Sequence, residues 1–200
     1  MILLGICFSL VLPAVAKADI EVVGVFGGLI GSSIDTTLQG DFSLDDAPLY
    51  GVRAGWSGPL IGVDGSIVTS PSGLDLVAEG IPINVDARVT FYEANFYFAP
   101  IPGPISPFVT AGIGIHSFHF DVDAGGFGAL EASVKKSGYN FGAGFKATIL
   151  KVVVRGDIRD HVTDIGPDDF ELGGIAGDLG FDEDVRLHNV EISFGAGISF

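Results

Sequence analysis

Hydrophobic and polar residues alternate without interruption from Val190 to the last residue, Phe200. Successive side chains of a β-strand point to opposite faces, so this pattern predicts a strand with one apolar and one polar face. The apolar face carries Val190, Ile192, Phe194, Ala196, Ile198 and Phe200. The polar face carries Glu191, Ser193, Gly195, Gly197 and Ser199.

The same alternation recurs upstream and predicts eight strands in all. They lie near residues 20–30, 47–57, 60–68, 86–98, 107–118, 138–149, 151–160 and 187–200. The predicted connections alternate between short turns, at residues 58–59, 99–106 and 150, and long loops near 31–46, 69–85, 119–137 and 161–186. Short turns on one side and long loops on the other are typical of membrane β-barrels, with both termini in the periplasm.

The faces of the individual strands follow this pattern in all but one case. In the second strand Tyr50 and Trp56 share a face, while Arg53 lies on the other. In the sixth strand, Phe141, Ala143, Phe145 and Ala147 are expected to face outward and Asn140, Gly142, Gly144, Lys146 and Thr148 inward. In the fourth strand the polar residues change parity between Thr90 and Glu93, which predicts a β-bulge near Phe91 or Tyr92.

The composition then decides which kind of sheet this is. The mean hydropathy is +0.50, yet after Ala18 no apolar stretch is long enough for a spanning helix. Only helices and closed barrels satisfy every backbone hydrogen bond in lipid. The sequence therefore predicts an all-β protein, an eight-stranded antiparallel up-and-down transmembrane β-barrel. The alternative is a soluble barrel of the lipocalin type, which would place its apolar face inside and Arg155, Asp157 and Arg159 outside.

The N-terminal segment predicts a cleaved signal peptide over residues 1–18, followed by the barrel over 19–200. An apolar run from Ile2 to Ala16 precedes Ala16-Lys17-Ala18, which fits the small-x-small cleavage pattern, although no Lys or Arg precedes the run. Cys7 also permits a lipoprotein interpretation, which its early position disfavours. Removal of Cys7 with the signal leaves no cysteine, so disulfides and thiolate metal sites are excluded.

Charged residues on the inward faces form the main candidate site. Arg155, Asp157 and Arg159 share one face of the seventh strand. Further charges are expected on the inward faces of other strands, at Glu93, Lys146 and Glu191. The interior of an eight-stranded barrel is just wide enough to be filled by side chains, so we expect these ions to pair and to plug the lumen. Ion conduction or catalysis by the same carboxylates is the alternative.

Three segments carry a family resemblance. They are the stretch from Arg155 to His161 (RGDIRDH), the stretch from Ser106 to Gly114 (SPFVTAGIG) and the terminal strand. Together they resemble small bacterial outer-membrane β-barrels of the OmpA/OmpX type over nearly the whole mature chain. The resemblance implies an outer-membrane location, contact with lipid, and assembly by the barrel insertion machinery and periplasmic chaperones, with Phe200 as part of the insertion signal. It implies no cofactor, and we expect no periplasmic domain like the one that follows the barrel in OmpA.

The formal net charge of −15 is concentrated in the predicted outer loops. The first loop contains Asp35, Asp41, Asp45 and Asp46, and the last contains Asp164, Asp168, Asp169, Glu171, Asp178, Asp182, Glu183 and Asp184. This charge disfavours nucleic acid and other anionic partners. A solvated surface is one interpretation. The other is divalent-cation binding by Asp168, Asp169, Asp182, Glu183 and Asp184, although neither run matches a calcium-loop template.

Three functional classes remain, namely a structural or surface-interacting barrel, a narrow channel and a lipid-modifying enzyme. Water-filled porins use about 16 strands, which disfavours a channel. His116, His119, His161 and His188 are expected to lie at the rim, and His116 and Ser117 point to opposite faces, so no catalytic residue is assigned. We therefore predict a surface-interacting barrel whose acidic loops carry its function, with residues 162–185 as the most mobile segment.

Overall fold

A computed structural model describes residues 19–31, 33–34, 42–43, 46–78, 81–101, 103–123, 129–165 and 185–200. Eight long strands form a closed antiparallel barrel in which each strand pairs with its sequence neighbours and the first pairs with the last. The strands are β1 Asp19–Ile30, β2 Ala47–Ser57, β3 Ile61–Ala78, β4 Ile81–Phe98, β5 Ile105–Asp123, β6 Ala129–Ile149, β7 Val152–Ile165 and β8 Val185–Ser199. A separate two-residue pairing joins Ser33–Ile34 to Phe42–Ser43. The predicted fold class is thus confirmed.

The two ends of the barrel differ in their connections. One end, called the near end here, holds the start of β1, the end of β8 and the turns at residues 58–60, 99–104 and 150–151. Leu150 adopts a positive φ of 59° in the tightest of these turns. The other end, called the distal end, joins β1 to β2, β3 to β4, β5 to β6 and β7 to β8. In outer-membrane barrels the short turns lie on the periplasmic side.

Several strands extend further toward the distal end than the sequence predicted. β3 and β4 pair from Ile61 and Phe98 as far as Ala78 and Ile81, so the predicted loop at 69–85 is wrong. Similarly, β5 and β6 pair as far as Asp123 and Ala129, which replaces most of the predicted loop at 119–137. Pro71 lies beyond the last pair between β2 and β3, where a sheet tolerates proline.

The predicted bulge in β4 is also wrong. Its register with both β3 and β5 is continuous through Phe91 and Tyr92. The inward row of Glu93, Asn95 and Tyr97 simply continues as Phe91 and Val89, which are buried. Parity is therefore constant along β4, and the chemical character of each face changes instead.

The outer surface of the near half of the barrel is an apolar band. Exposed Val, Ile and Phe side chains cover it, including Phe26, Phe96, Phe141, Ile192 and Phe194. Three outward tyrosines border the band toward the distal end, at Tyr50, Tyr92 and Tyr139. Trp56, Phe98 and Phe200 are exposed toward the near end. Aromatic residues at both borders of an apolar band are typical of transmembrane barrels.

Beyond the tyrosines, the chemical character of the two faces reverses. The inside becomes apolar, with a buried cluster that includes Val68, Val89, Phe91, Phe118, Val134 and Leu187. The outside becomes polar and exposed, with Arg88, Lys135, Asp164, Arg186 and His188. The distal section is thus built like a soluble barrel, whereas the near half has polar residues inside. Arg155, Asp157 and Arg159 are buried inside, which contradicts the lipocalin alternative for that half.

Two predictions concern residues outside the described part of the chain, namely the signal peptide at 1–18 and most of the last loop. β7 extends to Ile165 and β8 begins at Val185, so the predicted last loop at 161–186 is shortened at both ends. In the described residues, no helix is long and apolar enough to cross a membrane.

Candidate functional site: the charged lumen

Asp157 lies at the centre of the lumen with three arginines around its carboxylate. Arg155 Nη2 and Arg159 Nη2 lie 2.8 and 3.0 Å from Asp157 Oδ1. Arg53 Nη1, which reaches across from β2, lies 3.1 Å from Oδ2. Residues two apart in a strand share a face, so β7 presents Arg155, Asp157 and Arg159 as one inward row. All four side chains are buried.

Further acids complete the pairing of these arginines. Arg53 also donates to Glu191, which accepts a second hydrogen bond from Ser193. Arg155 Nη1 lies 3.4 Å from Asp64 Oδ2, and Asn95 Nδ2 donates to Asp64 Oδ1 at 2.9 Å. The central lumen is therefore a continuous network of ion pairs and charge-assisted hydrogen bonds between β2, β3, β4, β7 and β8.

A smaller cluster fills the near end of the lumen. Lys146 Nζ donates to Glu21 Oε1 at 3.1 Å, to the Tyr97 hydroxyl at 3.2 Å, and to Ser57. The same ammonium lies 5.1 Å from the centroid of the Tyr97 ring, within the range of a cation–π contact. Gly62 provides the space for that ring, because a Cβ at this position would lie 2.2 Å from it. Lys146 thus links β1, β2, β4 and β6 at the near end of the lumen.

Two histidines and Glu93 form the distal part of the polar lumen. His116 Nε2 and His161 Nδ1 lie 3.2 and 2.8 Å from Glu93 Oε1. The remaining ring nitrogens have partners as well, because His116 Nδ1 lies 2.6 Å from Thr163 Oγ1 and His161 Nε2 lies 3.0 Å from Glu191 Oε2. On the distal side of these residues, the Phe91 ring stacks on His161, with ring centroids 4.1 Å apart.

The structure places all six charged residues suggested by the sequence inside the barrel, namely Glu93, Lys146, Arg155, Asp157, Arg159 and Glu191. It also adds Glu21, Arg53 and Asp64, whose inward parity was readable from the same alternation. The expectation that His116 and His161 lie at the rim is wrong, since both are fully buried inside. The cause is that β5 and β7 continue beyond residues 118 and 160, the ends predicted for them.

Other predicted residues lie elsewhere. The candidate cation ligands Asp168, Asp169, Asp182, Glu183 and Asp184 fall outside the described residues. Asp164 is exposed on β7, where its Oδ1 accepts a hydrogen bond from Arg186 Nε at 2.8 Å. Phe200 is exposed, and its backbone N–H donates to the Ile20 carbonyl at 2.9 Å. That bond attaches the last residue to the first strand at the near end.

The arrangement of the lumen favours a plug. A cavity lined in part by Glu21, Arg53, Tyr97 and Arg155 has a volume of about 10 Å³, at the lower limit for a single water molecule. His116, Thr163 and Glu93 have the contacts of a base, a hydroxyl and a carboxylate, and all three are buried.

Comparison with known proteins gives a result for structure alone. Neither a protein-family sequence model nor a curated protein sequence matches this chain. Among solved structures, the Neisserial surface protein NspA aligns over 92% of this chain and 99% of its own, with 14% identity and a TM-score of 0.60. OprG from Pseudomonas aeruginosa aligns over 92% and 96%, with 14% identity and a TM-score of 0.57.

A third similar structure is Ail, the attachment invasion locus protein of Yersinia pestis, solved in complex with the heparin analogue sucrose octasulfate. It covers 92% of this chain and 99% of its own, with 16% identity and a TM-score of 0.56. At these identities the likeness shows the fold. Together with the apolar outer band, it shows that the chain has the fold of eight-stranded outer-membrane β-barrels.

Proposed function

We propose that this protein is a non-conducting outer-membrane barrel that presents its distal end, including its acidic loops, to a positively charged extracellular partner. The observation that supports a non-conducting barrel is the filled lumen. Ion pairs around Asp157, together with the Lys146 cluster and the histidine pair, occupy the interior from the near end to the level of Phe91.

The length of the strands supports a role at the distal end. A tilted strand needs about 9–11 residues to cross a bilayer. β3 and β4 have 18 residues each, β5 has 19 and β6 has 21. Their surplus lies beyond the tyrosine border, where the outer surface is polar. This section forms a platform that holds the loops away from the lipid surface.

The chemistry of the loops suggests the charge of the partner. The segment from 164 to 184 contains Asp164, Asp168, Asp169, Glu171, Asp178, Asp182, Glu183 and Asp184. Such a segment attracts basic peptides or cations and repels polyanions. Ail was solved with a sulfated heparin analogue. For this chain we propose the opposite preference.

A binding experiment with defined peptides tests the surface role. The barrel, reconstituted in nanodiscs, is presented with polylysine and with polyglutamate, and its affinity is measured at low and high salt. We expect binding of polylysine alone, weakened by salt because exposed charges are screened. A variant with Asp168, Asp169, Asp182, Glu183 and Asp184 changed to Asn or Gln is expected to lose most of this affinity.

The matched control neutralises Asp35, Asp41, Asp45 and Asp46 in the first loop and is expected to retain more of the binding. Equal affinity of the parent and the last-loop variant for polylysine would contradict the proposal. The non-conducting state is tested separately in planar bilayers, where we expect no steady ohmic current. A stable open level in most insertions would instead support the channel alternative.

A further inference from the structure

We propose that Glu93, His116 and His161 form an internal binding site for one transition-metal ion of the Zn²⁺ class. The site lies inside the barrel, between the arginine network and the apolar distal cluster. It is independent of the surface role proposed above, because it has no exposed residue.

The three ligand atoms already lie close to the required geometry. Glu93 Oε1 is 3.2 Å from His116 Nε2 and 2.8 Å from His161 Nδ1, and the three groups offer ligand atoms that all lie within 4.8 Å of one another. Zinc lies about 2.0–2.2 Å from nitrogen and oxygen ligands, so tetrahedral ligand atoms are about 3.4 Å apart. Small shifts of the two rings and the carboxylate would therefore admit an ion between them.

Each histidine also has the outer partner that a metal-binding imidazole needs. The ring nitrogen that faces away from Glu93 contacts Thr163 Oγ1 in His116 and Glu191 Oε2 in His161. A metal-bound imidazole typically donates its other N–H to a carboxylate or another oxygen, and this contact orients the ring. Both outer oxygens are present here, and Glu191 is itself held by Arg53.

The charges around Glu93 give a second reason for a cation. The Glu93 and Glu191 carboxylates contact His161 on opposite ring nitrogens. A metal ion at the Glu93 side would balance the Glu93 carboxylate. The arginines of the network pair with Asp157, Asp64 and Glu191, whereas Glu93 contacts the two imidazoles.

The surroundings hold the ligands rigidly and offer further donors. The Phe91 ring stacks on His161 and meets the edge of His116, with ring centroids 4.1 and 4.8 Å apart. The side-chain oxygens of Asn140 and Asn189 are buried without a hydrogen-bond partner among the described residues. Both residues pair directly with His161, from β6 and β8. Either carboxamide oxygen is a candidate fourth ligand.

The donor set determines the class of metal. Two imidazoles with one carboxylate suit Zn²⁺ and similar borderline ions, whereas Ca²⁺ requires six or more oxygens. Because the three ligands come from β4, β5 and β7 and are buried, the ion is acquired while the barrel forms. Its role is therefore structural.

The test is to refold the full barrel in detergent with Zn²⁺ or Co²⁺, or with excess chelator, and to measure bound metal after gel filtration. We expect one equivalent in the folded protein and visible absorption bands from bound Co²⁺ that Zn²⁺ abolishes. Glu93→Gln and His161→Gln are expected to weaken Co²⁺ binding by at least about 100-fold. Thr163→Val, which removes an outer partner, is expected to weaken it about 10–100-fold.

His188→Gln is the matched control, because His188 is an exposed histidine that contacts Asp160. This substitution is expected to leave metal binding unchanged. Folding of each variant is checked by the heat-dependent gel mobility typical of barrels. If Glu93→Gln and His161→Gln do not fold, the parent and Thr163→Val alone decide the result. Folded parent protein that retains no stoichiometric metal, or equal Co²⁺ affinity in the parent and a folded ligand variant or Thr163→Val, would overturn the proposal.

Discussion

The buried Asp157 is the residue on which most of the lumen charges converge. Its two oxygens contact Arg53, Arg155 and Arg159, and two of these arginines also contact a second acid, Glu191 or Asp64. Removal of one partner from a buried ion pair costs more than the pair itself contributes, because the remaining charge is left without compensation. Here one carboxylate contacts three guanidinium groups.

The first prediction is that Asp157→Asn lowers the free energy of unfolding by about 3–5 kcal/mol. The three arginines would remain close together without the anion that holds them. Urea titration of the barrel in detergent or lipid measures the change. The control is Asp164→Asn, which removes an exposed pair with Arg186 and is expected to cost at most about 1 kcal/mol. Equal losses in the two variants would show that the network contributes little.

At the scale of the strand, each long element has two sections with opposite chemical character. β8 illustrates this with one row of outward residues, in which Phe194 and Ile192 belong to the apolar band and His188 lies beyond it. In the near half the outward residues are apolar because they face lipid. In the distal section the outward residues are polar because they face water. Side-chain alternation is the same in both sections, and only the surrounding solvent differs.

This row gives a second prediction. Phe194→Arg places a charge in the apolar band and is expected to cost about 2–4 kcal/mol if the position is near the bilayer midplane. His188→Arg, on the same face of the same strand, is expected to cost no more than about 1 kcal/mol. Equilibrium folding into lipid vesicles measures both. A parent-like stability for Phe194→Arg would mean that this face does not contact lipid.

The distal apolar cluster gives a third prediction. Phe118 is 2% exposed inside the distal section, and its truncation to Ala is expected to cost about 3–5 kcal/mol because it leaves a cavity. Phe141→Ala, in the lipid-facing band, is the matched control and is expected to cost less. Stability is again measured by urea titration. The reverse order would mean that the distal section is not packed as a core.

The limits of sequence-based prediction follow from the same two sections. In the near half, alternation correctly predicted the strands and the faces of residues such as Arg53 and Lys146. Near the predicted ends of the third and fifth strands the inward residues Val68 and Phe118 are apolar, so the alternation of the near half no longer applied and a loop was predicted. The pairing of His161 with Glu93 was not predictable, because it depends on how β4 and β7 face each other across the lumen.

At the scale of the whole molecule, we expect the barrel and its last loop to be separable. β7 and β8 remain paired up to Ile165 and Val185, and the pairs of the lumen network lie nearer the near end. The barrel formed by the described residues is therefore closed without residues 166–184.

The fourth prediction is that replacing residues 166–184 by a short Gly-Ser linker leaves barrel assembly intact. Heat-dependent gel mobility and surface protease digestion measure the assembled fraction, and we expect it to match that of the parent. The control is an equally long replacement within the β3–β4 hairpin, which removes strand pairs and is expected to reduce assembly. Failure of the 166–184 replacement to assemble would show that the loop is needed for the fold.

The ion pairs of the lumen also affect the order of steps in which the barrel folds. Arg53 and Glu191 are 138 residues apart in the chain, and Lys146 and Glu21 are 125 apart. No early hairpin contains both members of such a pair. These four charged side chains are therefore expected to remain hydrated until the strands that carry their partners come together. Contacts between distant residues slow folding. Dehydration of the interior is therefore expected to be a late and concerted event, which coincides with the pairing of β1 and β8.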